Sequence, residues 1–177
     1  MTIATTKAAE IAIRRAMRMT ERFTWTRPEY RGQYLKRTRA GELWTFSGAY
    51  MILTSPDPLP GLPRLDTFAQ LDPLAYIDRM TTGRSYAAPA EIPTRSQLDA
   101  FRRSAGPRTP YQLQGSGEPV GVNPQYLRDL LTIYPGAGVT IAGPLDPIII
   151  RDDAGEPVAA LAPVRLPQKD AAPASAE

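Results

Sequence analysis

The chain has 177 residues, with 21 Lys+Arg against 18 Asp+Glu, a formal charge of +3 and a pI near 9.3. Cysteine and histidine are both absent. That excludes disulfides, thiolate nucleophiles, Cys/His zinc sites and every acid–base device built on imidazole. Hydrophobic residues make up 42%, enough for one core, while 19 Pro and 13 Gly predict an ordered domain rich in turns.

The cations are unevenly spread. Residues 1–60 hold ten Lys/Arg and five Asp/Glu, and residues 61–177 hold eleven and thirteen. A basic first third on a weakly basic chain suggests a localised surface for a polyanion, with a solvated charged face as the plain alternative. The opening Met1-Thr2-Ile3-Ala4 leads into charge rather than an apolar run, so no signal peptide is expected. No apolar stretch approaches the roughly 18–20 residues of a membrane span, and the expected location is cytoplasmic.

Along the chain, Lys7–Met19 is built of good helix formers without Gly or Pro. At about 100° per residue, Lys7, Arg14 and Arg18 cluster, and Arg15 lies beside them. Ala8, Ala9, Ala12, Ile13, Ala16, Met17 and Met19 take the opposite half. The helix is therefore amphipathic, with a cationic face and a buried face of mostly small side chains. Gln33–Thr38 and Glu42–Phe46 read as a hairpin closed through Gly41, and Tyr50–Thr54 reads as a third strand. Four prolines between Ser55 and Pro63 predict a stiff extended connector.

Residues 62–110 read as a long irregular insertion of unknown role. A short helix within Leu65–Met80 is interrupted on paper by Pro73, and Thr94 caps a helix over Arg95–Ser104 that ends at Gly106-Pro107. Asn123-Pro124 supplies an N-cap and a first-turn proline for a helix over Gln125–Tyr134. Its broad apolar face is Tyr126, Leu127, Leu130, Leu131, Ile133 and Tyr134, leaving Gln125, Arg128, Asp129 and Thr132 outside. Val139–Ala142, Ile148–Arg151 and Val158–Leu166 follow as strands, and Pro167–Glu177 reads as a disordered tail. The order predicts one α+β domain over 1–166, with antiparallel sheets carrying two helices on one face. No internal sequence repeat is visible.

The stretch Gly121-Val122-Asn123-Pro124-Gln125-Tyr126-Leu127-Arg128-Asp129-Leu130-Leu131 resembles a helix of bacterial DNA polymerase sliding clamps, whose last domain carries an FNxxYLxDxL pattern. Leu145–Ile150 looks like the family's PxxI strand. Leu161-Ala162-Pro163-Val164-Arg165-Leu166 looks like its closing MPMRL strand, with Ala and Val in place of the two Met. A weaker likeness runs through Lys7–Met19, Thr26-Arg27-Pro28 and Phe46–Met51. The chain departs from the family in having one such domain rather than three, in the insertion, and in Val122 for Phe.

The resemblance implies a DNA-clamp-like fold and a protein that binds and holds rather than an enzyme, with no catalytic residue, metal or cofactor. It implies helices facing duplex DNA, which fits the basic helix read from the residues. Sequence-independent phosphate contacts would come from Lys7, Arg14, Arg15, Arg18 and Arg128. It further implies a groove for short peptides of DNA polymerase or other clamp-binding proteins, formed by Asn123, Tyr126, Ala162, Pro163, Val164 and Arg165. An N-cap, a core tyrosine and an edge strand explain the same residues without a ligand. The leading expectation is a head-to-tail homo-oligomer, ring-shaped around duplex DNA, that tethers replication or repair proteins. The alternative is a clamp-derived adaptor or regulator that binds a clamp or polymerase without encircling DNA.

Three lesser patterns remain open. Asp152-Asp153 with Glu156 is either a polar turn or a metal loop, without the alternation of an EF-hand. Trp25, Tyr30 and Tyr34 among Arg22, Arg27, Arg31 and Lys36 suit either a core or single-strand stacking. Gly115-Ser116-Gly117 lacks the Lys of a phosphate loop.

Overall fold

The computed structural model describes residues 6–26, 35–37, 43–46, 50–54, 73–83, 88–115 and 117–167. The Pro-rich connector, the tail beyond Pro167 and the side chains of the Trp25–Tyr34 cluster lie outside the described residues.

Helix α1 spans Lys7–Thr26, a full turn and more beyond the predicted end at Met19. Thr20–Thr26 contains neither Gly nor Pro, and the first strong stop is Pro28, which disfavours helical geometry at Arg27. At its start the Thr6 hydroxyl accepts a hydrogen bond from the Ala9 N–H at 3.2 Å, filling one of the donors that a helix start leaves open. Strands β1 (Leu35–Arg37), β2 (Leu43–Phe46) and β3 (Tyr50–Thr54) form the expected antiparallel meander, with Leu35 opposite Thr45 and Phe46 opposite Met51.

Helix α2 (Pro73–Thr81) begins at the residue read as its interruption. Proline is tolerated in the first turn, where its missing N–H has no intrahelical partner to lose. A two-residue strand β4 (Ala88–Pro89) follows, then α3 (Arg95–Ala105). The Thr94 cap is reciprocal. Its hydroxyl accepts from the Gln97 N–H at 3.2 Å, and the Gln97 side chain accepts from the Thr94 N–H at 2.7 Å. Strands β5 (Tyr111–Leu113) and β6 (Val120–Val122) pair as a separate two-stranded sheet. Neither was expected, nor was β4: two or three residues are too few to show alternation in sequence.

Helix α4 (Pro124–Ile133) is capped by Asn123, whose side-chain oxygen accepts from the N–H groups of Gln125 and Tyr126. Strands β7 (Gly138–Ile141), β8 (Ile148–Arg151) and β9 (Pro157–Leu161) complete the chain. The last strand stops at Leu161 rather than Leu166, because Pro163 has no N–H for the ladder. The chain then leaves the large sheet and runs along β6, where the Val164 N–H donates to the Gly121 carbonyl at 2.9 Å. A side chain at Gly121 would collide with the Val164 carbonyl and lie 2.9 Å from Leu166 Cδ2, so this close approach requires glycine.

Among the described residues the large sheet has seven antiparallel strands in the order β1-β2-β3-β9-β8-β7-β4. Its topology contains the repeat that the sequence hides. A helix followed by a three-strand meander occurs twice (α1-β1-β2-β3 and α4-β7-β8-β9). The two third strands, β3 and β9, pair at the centre of the sheet, and the helices pack on each other. The core lies between these helices and the sheet. It joins Ala12, Ile13 and Ala16 of α1, Leu127, Leu130 and Ile133 of α4, and Val139, Ile141, Ile148, Ile150, Ala159 and Leu161 of the strands. Ala8, predicted on the buried half of α1, is exposed.

Two findings enlarge the expected plan. Residues 88–113, within or beside the supposed insertion, are built into the same core through Ala90, Leu98 and Leu113. Phe101 of α3 also meets Tyr111 of β5 edge to face, with centroids 5.1 Å apart. On the other face of the sheet, Ile149 and Ala160 alternate away from the helix core yet are buried, as is Ile77 of α2, which packs on β9. A strand covered on both sides needs a continuous apolar run, which is what Ile148-Ile149-Ile150 supplies.

Candidate functional site

The cationic residues expected to meet DNA are carried on a layer of three helices, α1 against α4 and α4 against α3. On α1, Lys7 and Arg18 are exposed. Arg14 donates from Nε and Nη2 to Glu10 Oε1 at 2.9 and 2.7 Å, a one-turn pair on the same helix. Arg15 reaches across to α4, where its Nη1 donates to both carboxylate oxygens of Asp129 at 2.6 and 2.8 Å. Arg128 of α4 lies against α3, with Nε 2.6 Å from Asp99 Oδ1. The structure thus brings Arg15 and Arg128 onto one layer, but matches Arg14, Arg15 and Arg128 each with a carboxylate.

Asp129 and Thr132 correct the helix reading. Both were placed outside and both are buried, Asp129 to 1% exposure. The reason is that α4 is flanked by α1 and α3 as well as by the sheet, so little of it meets water. Each buried polar group is satisfied: the Thr132 hydroxyl donates to the Arg128 carbonyl at 2.7 Å, and Asp129 also accepts from Gln125 Nε2 at 2.7 Å. Burial pushes the Asp129 carboxyl above its ordinary range. The Arg15 hydrogen bond and charge, the Gln125 hydrogen bond and the Arg128 charge pull it down without cancelling that rise. Because Arg15 keeps 39% of its side chain exposed, this clasp is buried at one end and wet at the other.

The expected groove residues come from two stretches far apart in sequence, and the structure makes them neighbours. Asn123 directly follows β6, and the segment carrying Pro163, Val164 and Arg165 is hydrogen-bonded to β6 at Gly121. Ala162, Val164 and Arg165 are exposed, and Pro163 is half-buried. Asn123 spends its side-chain oxygen on the helix cap. Tyr126 is half-buried and packed against the core, and burial followed by the Asp129 charge pushes its phenol upward. The result is a partly apolar surface beside a capped helix start.

The Asp152–Glu156 segment is a tight turn between β8 and β9. Asp152 Oδ1 accepts from the Ala154 and Glu156 N–H groups at 3.0 and 2.9 Å, so this carboxylate is committed to its own backbone. Among the described residues no group of three or more acidic side chains is gathered as a metal site, and no helix is long and apolar enough to cross a membrane.

Asp99 and Arg102 on α3 join this charged layer and were not singled out from sequence, although the run Arg102-Arg103 with Arg108 nearby is a visible basic signal. What sequence could not reveal is that α3 packs beside α4. Compared with family models, curated proteins and solved structures, the chain matches none.

Proposed function

We propose that this chain is a single-domain, sliding-clamp-like protein that assembles head-to-tail into a ring around duplex DNA and tethers replication or repair proteins. One observation carries the reading: the helix-plus-three-strand unit occurs twice, with its two helices side by side and its two third strands paired. Such an arrangement offers a helical face to a central polyanion and, among the described residues, leaves β1 and β4 as the two edges of the large sheet. Pairing one copy's β1 edge with another's β4 edge is a head-to-tail contact, and repetition of that contact can close a ring. The sequence likeness over Gly121–Leu131 and Leu161–Leu166 supports the same reading. So does the hydrogen bond that ties the Pro163–Arg165 segment to Gly121, two residues before Asn123, where a partner's extended peptide would lie.

A specific observation favours a second reading, that of an adaptor that binds a clamp or polymerase without encircling DNA. Among the described side chains, the pairing of Arg14, Arg15 and Arg128 with Glu10, Asp129 and Asp99 leaves Lys7 and Arg18 to carry the surplus charge on α1 and α4. Light scattering separates the two. The ring requires a discrete oligomer of about six copies, retained on closed circular duplex and released by linearisation. A strict monomer at high concentration overturns the ring. A monomer that captures a clamp or polymerase without retaining duplex establishes the adaptor. Charge reversal at both Lys7 and Arg18 is expected to abolish duplex association at moderate salt while the fold persists.

A further inference from the structure

The α3–α4 boundary carries an imbalance of donors. Asp99 Oδ1 lies 2.6 Å from Arg128 Nε and 3.7 Å from Arg102 Nη1, so one carboxylate oxygen stands between two guanidinium groups. The short Arg128 approach is an ion pair without hydrogen-bond alignment. Among the described residues neither the Arg128 Nε nor the Arg102 Nε, both buried, has a hydrogen-bond acceptor. Each guanidinium has five N–H donors, Asp99 is the carboxylate that stands against both, and the Asp129 charge also acts on Arg128, so N–H donors are in excess. Arg102 and Arg128 keep about a third of their side chains in contact with solvent, at 30% and 32%. Both stand on well-anchored helices: α3 is held by its capping box and Leu98, and α4 by the Asn123 cap and Leu127.

We propose that Arg102 and Arg128 form a two-guanidinium clamp for one backbone phosphate of duplex DNA, with Asp99 between them as the carboxylate that bridges the pair. This inference rests on the DNA reading above and adds α3 to its contact surface. The two unesterified oxygens of a backbone phosphate suit planar guanidinium donors, which bind such a group in parallel pairs. A duplex fits better than a single acidic side chain because cations stand on all three helices of the layer, Arg102 on α3, Arg128 on α4, and Arg15 and Arg18 on α1. Arg103 and Arg108, exposed on the same segment, raise the local potential further. Asp99 competes with the phosphate for both arginines, so its charge tunes the affinity downward.

The test is a salt series of fluorescence anisotropy with a labelled duplex and the full chain, comparing wild type, Arg102→Gln and Asp99→Asn. Arg102→Gln is expected to weaken binding severalfold for every duplex sequence and to lower the slope of log affinity against log salt by about one. Asp99→Asn is expected to strengthen binding with the slope retained or raised. Arg102→Gln removes only the 3.7 Å contact, and a thermal melt verifies its fold should Asp99→Asn loosen the α3–α4 joint. If wild type binds duplex and a folded Arg102→Gln leaves affinity and slope unchanged, the clamp is overturned and the DNA reading stands. If wild type binds no duplex even at low salt, both fall. An acidic peptide that binds in place of duplex and is lost in Arg102→Gln also overturns the clamp, assigning the arginines to a protein partner.

Discussion

Helices α1 and α4 hold equivalent places in the two halves of the fold, each leading into a three-strand meander, yet they are built on different chemistry. The inward face of α1 is Ala9, Ala12, Ile13 and Ala16, with Lys7, Ile11 and Arg18 exposed. The inward faces of α4 are Leu127, Leu130 and Ile133, and even its polar Asp129 and Thr132 are buried. The difference follows from cover. Among the packed elements, α1 leans on α4 and the sheet, while α4 is enclosed by α1, α3 and the sheet. Small residues let α1 approach closely and keep one face wet. Enclosure forces α4 to fill volume with Leu and Ile and to find hydrogen-bond partners for its buried Asp129 and Thr132. The same topological place therefore accepts an outer helix or a central one, according to what is packed beside it.

The largest test of that contrast compares core truncations. Leu130→Ala is expected to destabilise by about 3–4 kcal/mol, since an enclosed site collapses poorly around the cavity, and Ile13→Ala by about 2 kcal/mol. Urea denaturation measures both, and an Ile13→Ala loss equal to or above that of Leu130→Ala breaks the distinction between outer and central helix. Next in size is the clasp that joins the two helices. Arg15→Met leaves the fully buried Asp129 carboxylate with Gln125 as its remaining direct partner. It should cost about 2–3 kcal/mol, below the usual range for a buried pair because Arg15 itself is part-exposed. Replacement of the other partner, Asp129→Asn, should cost less, because the arginine left behind can turn to water.

The smallest expected effect is the pH dependence of that clasp. Asp129 is raised above its ordinary value of 3.8 in the folded chain. A raised carboxyl contributes stability that is fully present below the unfolded value and lost as pH rises through the folded one. Wild type should therefore lose ground against Asp129→Asn as pH climbs from below 3.8 through the acid range. Melts at matched ionic strength measure the difference. A wild-type gain over the same interval would mean that Arg15, rather than burial, governs the group.

Much of the outer plan was legible. The Thr94 and Asn123 caps, the Ile148–Arg151 strand and the helix-then-three-strands order are local patterns in which side-chain chemistry and backbone need agree. The start of α2 was missed because Pro73 reads equally as a breaker or as a first-turn residue. Strands β4, β5 and β6 were missed because each is defined by a partner rather than by its own composition. On the candidate site, the cationic face of α1 follows from spacing alone. Its partners do not: Arg15 and Asp129 are 114 residues apart, and nothing local couples them.

The absence of imidazole and thiol chemistry, the helix periods, the caps and the points where proline forbids a ladder bond all follow from the residues alone. These are properties of a residue and its near neighbours. Which carboxylate meets which arginine, the burial of Asp129, the need for Gly121 to lack a side chain and the place of α3 in the helix layer emerge only when the chain is folded. Burial and ion pairing depend on what lies across a few ångströms of space. That distance is set by how the sheet brings the two halves of the chain together, and no stretch of sequence records it.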